Sequence, residues 1–265
     1  MTSTPTPPPT SQRTGLRPWA IVLIVVGSLV LAGLVAVASV TLLWPRPVAL
    51  SYSVDAGSSV EARVPDAPLR LHASRDGRVH VVVSGWHTGP APKLDVRTSG
   101  DTTTIAGGCS RPWSVRCSIR VDVSLPATSD ATVFGSNGEV TATGLDGALR
   151  LATTNGTISV TDASGPLDLR TVNGAVVLRR ATSEQVAART TNGAVDLDFL
   201  APPQTVTGHT INGAVSVRVP PGEDYRIVAK TVNGPVDTMA STPGAARSIR
   251  VDTVNGAVTV AHTAE

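Results

Sequence analysis

Seven Asn-Gly pairs cut the second half of this chain into units of nearly constant length. They are Asn137-Gly138, Asn155-Gly156, Asn173-Gly174, Asn192-Gly193, Asn212-Gly213, Asn233-Gly234 and Asn255-Gly256, at intervals of 18, 18, 19, 20, 21 and 22 residues. Such a period marks a repeat architecture, in which a unit too small to bury its own apolar face buries it on the next copy. Three residues after each Asn stand Val140, Ile158, Val176, Val195, Val215, Val236 and Val258, all apolar and β-branched. Five after stand Ala142, Val160, Leu178, Leu197, Val217, Thr238 and Val260, with a mostly polar column between. Alternation with period two is the pattern of a strand with one buried face. From the second copy on, another alternating segment precedes the bend, with Leu149, Leu167, Val186, Val206, Ile227 and Ile249 in one column and Leu151, Leu169, Ala188, Gly208, Ala229 and Val251 in the next. Each unit therefore reads as strand, Asn-Gly bend, strand and a looser corner.

Two arrangements satisfy this pattern. Asn-Gly favours the type I′ hairpin, which would give an antiparallel meander. A β-solenoid instead stacks each unit on its predecessor, so residue identity repeats in ladders. The ladders are present: Thr stands two before Asn at Thr153, Thr171, Thr190, Thr210, Thr231 and Thr253, on the parity of the buried residues. The expected fold is all-β, a single-stranded β-solenoid (β-helix) of about seven coils over residues 135–262, preceded by one transmembrane helix. Glycine at the bend suits a backbone that needs positive φ. Residues 70–134 alternate without the Asn-Gly register, in "RVHVVVSG", "KLDVRTSG" and "SIRVDVSLP", and read as irregular coils or a capping sheet. The last copy shows no evident cap, although open edge strands invite aggregation.

The N-terminal fifth is of another kind. Residues 1–18 hold five prolines with Ser and Thr and read as a disordered tail. From Trp19 to Trp44 no charged residue appears across 26 positions. A helix of that length spans about 39 Å at about 1.5 Å per residue, enough to cross a hydrocarbon core of about 30 Å with tilt. A tryptophan at each end fits the interfacial belts, and Pro45 and Pro47 stop the helix. The apolar run is longer than that of a cleaved signal peptide, the competing reading offered by Ala36-Val37-Ala38. Residues 45–69 are then a linker and first strand. The basic flanks, Arg13 and Arg17 against Arg46 and Arg63, are nearly balanced. Orientation thus rests on the simpler export of the large C-terminal part, with the N-terminus cytoplasmic and the folded part extracytoplasmic. The small-residue stripe Ser28, Ala32, Ala36 is what an Ala/Gly/Val-rich span gives by chance.

The chain offers little to chemistry. Its net charge of +2 comes from Arg13 and Arg17, since 20 basic and 20 acidic side chains follow residue 18. Nucleic-acid binding calls for a strongly basic balance and is not expected. Cys109 and Cys117 bracket "SRPWSVR" in an apparent hairpin loop; in an exported domain they are expected to form a disulfide, in a cytoplasmic one to stay free thiols. His72, His80, His87, His209 and His262 stand at no metal or triad spacing, and no nucleophile-elbow, zincin or Walker segment occurs, so no cofactor is expected. Solenoid enzymes acting on polysaccharides need clustered acids with aromatic platforms. Here Asp196 and Asp237 share an outward column two coils apart, about 10 Å at ordinary strand spacing, and aromatics make up only 3% of the chain. Ice binding, suggested by the Thr column, needs outward paired rows. One array points to a partner: three positions before Asn, on the outward side, successive coils carry Arg170, Arg189, His209 and Lys230. Like charges in line cost stability, so a basic row is a candidate site for an anionic partner such as lipid headgroups or a wall polymer.

The segment "IRVDVSLPATSDATVFGSNGEVTATGLDGALRLATTNGTISV", with the T-x-N-G-x-V units after it, resembles the bacterial adhesin-like β-strand-repeat family catalogued as domain of unknown function 4097. The likeness runs over about residues 70–262. It implies a β-solenoid of the cell envelope, and the toast-rack domains of envelope-stress membrane proteins are similar in architecture. Neither family supplies a catalytic motif. The expected role is therefore a non-enzymatic binding or structural surface, held at the membrane by residues 19–44 and facing an unknown protein or anionic polymer. A sensory module in envelope-stress signalling is the alternative, and a polysaccharide-active enzyme a weaker one.

Overall fold

A computed structural model describes residues 17–109 and 116–263, with side chains undescribed for 38–43. It divides into two units, residues 1–44 and 45–265. The first contains a helix, Pro18–Leu43. Proline at its first position fits because φ is already helical and the missing N–H would have no intrahelical partner. Among its described residues the large apolar side chains, such as Trp19, Leu23, Leu29 and Leu34, are exposed. This is one N-terminal helix long and apolar enough to cross a membrane.

The second unit is built of strands in two sheets, of ten and eleven strands, mixed but mostly parallel. Each repeat gives one strand to each sheet. In one sheet Asp130–Phe134, Leu149–Ala152, Leu167–Arg170, Gln185–Arg189 and Thr205–His209 lie side by side in parallel. In the other, Val140–Thr143, Ile158–Thr161, Val176–Ala181, Val195–Phe199 and Val215–Val219 do the same. The two strands of one repeat do not pair with each other, so Asn-Gly here is a bend from sheet to sheet and the antiparallel meander does not form. Ile158, Val176 and Val195 are direct register neighbours with no exposed surface. The alternation seen in sequence is thus the division between a core shared by the two sheets and two outward faces.

Each letter of the Thr-x-Asn-Gly motif has its own contact with a neighbouring rung. The Thr hydroxyl is buried and donates to the carbonyl of a bend glycine one rung away: Thr171 to Gly156, Thr190 to Gly174 and Thr210 to Gly193, at 2.9, 2.8 and 2.9 Å. The Asn side chains form an amide ladder, in which Asn155 Nδ2 donates to Asn137 Oδ1 at 2.8 Å and Asn173 Nδ2 to Asn155 Oδ1 at 2.9 Å, continuing through the stack. Glycine is required by close approach more than by φ: a Cβ on Gly174 would stand 2.1 Å from the Gly156 carbonyl oxygen. Stacking alone therefore accounts for the return of the motif from unit to unit.

The rungs are not stacked in chain order. The last repeat, Arg247–Asp252 with Val258–His262, enters between the Asn212 rung and the Asn233 rung, and Tyr225–Lys230 with Val236–Thr238 becomes the end of the stack. Burial explains the exchange. Ile249, Val251, Val258 and Val260 are all buried, whereas the displaced rung carries Thr238 where its relatives carry apolar residues and Pro235 where the four nearest carry Ala, and Val236 remains 48% exposed. The poorest rung costs least at the end. The connection after it then crosses that end: Thr242 N donates to Tyr225 O, and Ser241 Oγ pairs with both the N–H and the carbonyl of Ile227. Residues 241 and 242 thus line the outer edge of Tyr225–Lys230, while Val236–Thr238 remains an edge strand of the other sheet.

At the other end, Ser59–Arg63 and Leu69–Ala73 form a further rung, paired in parallel with Asp130–Phe134 and Val140–Thr143. Its bend is Asp66-Ala67, in register with Asn137-Gly138, and Asn137 Nδ2 donates to Asp66 Oδ1 at 2.7 Å, so an aspartate starts the amide ladder. Leu69 and Arg70, on either side of the boundary drawn in the sequence, belong to one strand. Beyond it lies an antiparallel cap, with Arg46–Asp55, Arg78–His87 and Cys117–Leu125 in one sheet and Lys93–Ser99 against Thr102–Gly108 in the other.

Candidate binding surface

The outward face of the ten-stranded sheet carries the basic row expected from sequence, and the exchange of rungs changes it. Arg170 pairs in register with Arg189, and Arg189 with His209. His209 then neighbours Asp252, and only Asp252 neighbours Lys230. The uninterrupted row Arg170, Arg189, His209, Lys230 is therefore broken by a carboxylate, because the rung that bears Lys230 is not next to the rung that bears His209. Asp252 Oδ2 lies 2.5 Å from His209 Nδ1. Arg170 is held by its own strand, with Nε and Nη2 on the two oxygens of Asp168 at 2.8 and 2.9 Å. Among the described residues Arg189 makes no ion pair, and Arg150, 3.6 Å from Asp168, extends the positive group across three adjacent strands. Asp168 on Arg170 and Asp252 on His209 offset part of the repulsion among these neighbours.

Beside this group the face is hollowed into an open groove of about 610 Å³. Ala148, Ala187 and Pro166 line it where longer side chains would fill it, and Asp130, Arg150, Asp168, Gln185 and Thr207 supply polar groups. Asp130 accepts the Ala148 N–H at 2.8 Å, which fixes that carboxylate at one end. Sequence reasoning missed the groove. Its signal was the run of small outward residues, Ala148 and Ala187, among larger ones.

The opposite face carries the acidic column. Asp196 and Asp237, expected two coils apart, are separated by Ser216 and Thr259, hence by three strand spacings or about 14 Å. Asp196 is clamped by Arg179 Nη2 at 2.6 Å and Arg218 Nη2 at 2.7 Å. Burial pushes its carboxyl up, but the hydrogen bond from Arg179 and the two guanidinium charges outweigh that and hold it below the usual carboxylate range. Asp76, on the exposed cap, is lowered mainly by the Arg78 backbone N–H. Such carboxylates are stabilised as anions and suit ion pairing, whereas a general acid needs its pKa raised.

The remaining candidates are scattered. Cys109 and Cys117 are bonded to each other, with Cα atoms 6.0 Å apart, and most of the loop they bracket, 110–115, lies outside the described residues. His72 meets Ser124 at 2.8 Å, His80 meets Asp76 at 2.8 Å, and His87 turns back on the Gly89 carbonyl at 2.9 Å. Among the described residues no group of three His, Cys, Asp or Glu side chains is placed to hold a metal ion. The seven Asn-Gly bends form an exposed polar line down one side of the stack.

The sequence matches no protein-family model, and no curated protein matches it. Solved structures do match. A candidate adhesin from Bacteroides fragilis superposes with a TM-score of 0.50 at 14% identity, over 82% of this chain and 97% of that one, and shares its fold. A candidate adhesin from Parabacteroides distasonis gives 0.48 at 12% identity over 82% and 97%. A candidate cell adhesion protein from Clostridium sporogenes gives 0.39 at 10% identity over 82% and 100%.

Proposed function

We propose that this chain is a membrane-anchored, adhesin-like β-solenoid of the cell envelope. In this reading its stacked rungs hold the outward face of the ten-stranded sheet as a binding surface for an anionic envelope polymer or anionic lipid headgroups. The observation that carries it is the cluster of Arg150, Arg170 and Arg189 on three adjacent parallel strands beside an open polar groove. A stacked core fixes the spacing of the strands that bear those guanidinium groups, which leaves only side-chain ordering to be offset when they meet a phosphate-bearing polymer. The fold shared with the Bacteroides protein, and the resemblance of the repeats to the domain of unknown function 4097 family, support the adhesin-like assignment. The exposed apolar helix supports the anchor. A disulfide at Cys109–Cys117 suits an extracytoplasmic domain, because the cytoplasm keeps thiols reduced. The surface is read as a binding rather than a catalytic one.

The test is calorimetric titration of the full chain, in a neutral detergent, with poly(glycerol phosphate). Changing Arg150, Arg170 and Arg189 to Gln together should weaken binding ~100-fold at low salt, taking about 1 kcal/mol for each cation at an anionic surface. Lys230→Gln, outside the cluster, should cost no more than about fivefold. Equal affinity for the triple variant and the parent sinks the reading.

A further inference from the structure

We infer that Asn233 is a self-modification site: of the seven Asn-Gly bends, this one converts spontaneously to aspartate and isoaspartate in the folded protein. The chemistry requires only water. The Gly234 backbone nitrogen attacks Cγ of Asn233, a new C–N bond closes a five-membered succinimide, and the Cγ–Nδ2 bond breaks. The proton from the attacking nitrogen leaves with the amide as ammonia. Water then opens the ring, giving ordinary aspartate if it attacks the side-chain carbonyl and isoaspartate if it attacks the backbone carbonyl. Glycine in the next position favours the ring closure, since no Cβ hinders it.

In six bends the stack opposes this reaction at both reacting groups. Each glycine N–H is occupied by the backbone carbonyl of the next Asn: Gly138 on Asn155, Gly156 on Asn173, Gly174 on Asn192, Gly193 on Asn212, Gly213 on Asn255 and Gly256 on Asn233, at 2.9 to 3.0 Å. Each of those six Asn side chains also has its Oδ1 held by Nδ2 of the following rung. Turning the nitrogen onto its own Cγ breaks both contacts. The hydrogen bonds run in one direction, so the terminal rung is left without them. Among the described residues, the Gly234 N–H has no acceptor and Asn233 Oδ1 has no donor. The Asn233 side chain keeps only its outgoing bond, Nδ2 to Asn255 Oδ1 at 2.7 Å. Gly234 is also the one bend glycine of the seven that is exposed. The exchange of rungs creates the site, because chain-order stacking would leave Asn255 at the end instead. The product puts a carboxylate against Asn255 Oδ1 and takes away the ladder's last donor, which loosens the terminal rung.

Peptide mapping by mass spectrometry tests this on the full chain in neutral detergent at mildly alkaline pH, with each site's rate divided by its rate in the urea-denatured chain. Asn233 should convert at least about tenfold faster than the mean of the other six, equivalent to ~1.4 kcal/mol of barrier. Asn233→Gln should abolish the main product and leave unchanged the rates of the five sites that do not touch Asn233, Asn255 being the one whose Oδ1 contact is altered. A ratio below tenfold, a faster site elsewhere, or no conversion at Asn233 while the denatured chain converts would each overturn the assignment.

Discussion

Val258 and Val236 occupy the same column of the repeat, three residues after their Asn, and truncating each to alanine distinguishes the two possible stacking orders. In the structure Val258 lies between Val215 and Val236 with no exposed surface. Losing two buried methyl groups removes about 1.6 kcal/mol of transfer free energy at ~0.8 kcal/mol per methyl. The cavity between two rigid strands adds to this, for a total of about 2–3 kcal/mol. Val236 is 48% exposed and faces the end of the stack, so Val236→Ala leaves no closed cavity and should cost below about 1 kcal/mol. Urea unfolding of the full chain in neutral detergent, followed by far-ultraviolet circular dichroism, gives both numbers if the denaturant slope is unchanged. Chain-order stacking would make Val236 interior and Val258 terminal, and the ranking would invert. A cost for Val236→Ala equal to or above that of Val258→Ala would therefore refute the exchange of rungs.

Three further outcomes follow from the same contacts. Thr210→Val keeps the shape but removes the fully buried hydroxyl that donates to the Gly193 carbonyl, and should cost about 1–2 kcal/mol in the same urea assay. Asp196 is depressed in the folded state, so its contribution is fully present above the unfolded carboxylate value of about 3.9 and is lost as pH falls through the lower folded value. Asp196→Asn should flatten the acid limb of stability against pH in that window and leave its neutral-pH slope unchanged. Reducing the Cys109–Cys117 bond should destabilise the cap by about 2.5 kcal/mol in the chain-entropy model, seen as faster amide exchange in Arg78–His87 with the Asn-Gly rungs unaffected.

The repeat was legible because its physics is local and periodic. β-branched residues at Val176 and Val195 and the buried parity of Thr171 and Thr190 are read from spacing alone, and they sit where spacing put them. The order of rungs was not legible, since every rung offers its neighbours the same hydrogen-bonding edge. What decides is a comparison of whole rungs: Thr238 and Pro235 make one of them a poor interior layer, and the last interval of 22 residues leaves chain enough to cross the end. The rung at Asp66 was hidden for another reason. Asp66-Ala67 replaces Asn-Gly, although Val60, Ala62, Leu69 and Leu71 keep the alternation on both sides. The basic surface was legible as a set of residues and not as a row, because a row depends on which strands are adjacent.

The exchanged final rung also sets a timetable for assembly. As the chain emerges N-terminus first, Tyr225–Lys230 appears while its eventual neighbour Arg247–Asp252 is still unmade. Growth by adding each new layer to an exposed edge therefore works only as far as the Asn212 layer. Beyond that point residues 225–246 have to wait, or detach, until Val258–His262 has been delivered to the gap. The native contacts of the two outermost layers therefore become available together, only once the last strand, Val258–His262, has been made.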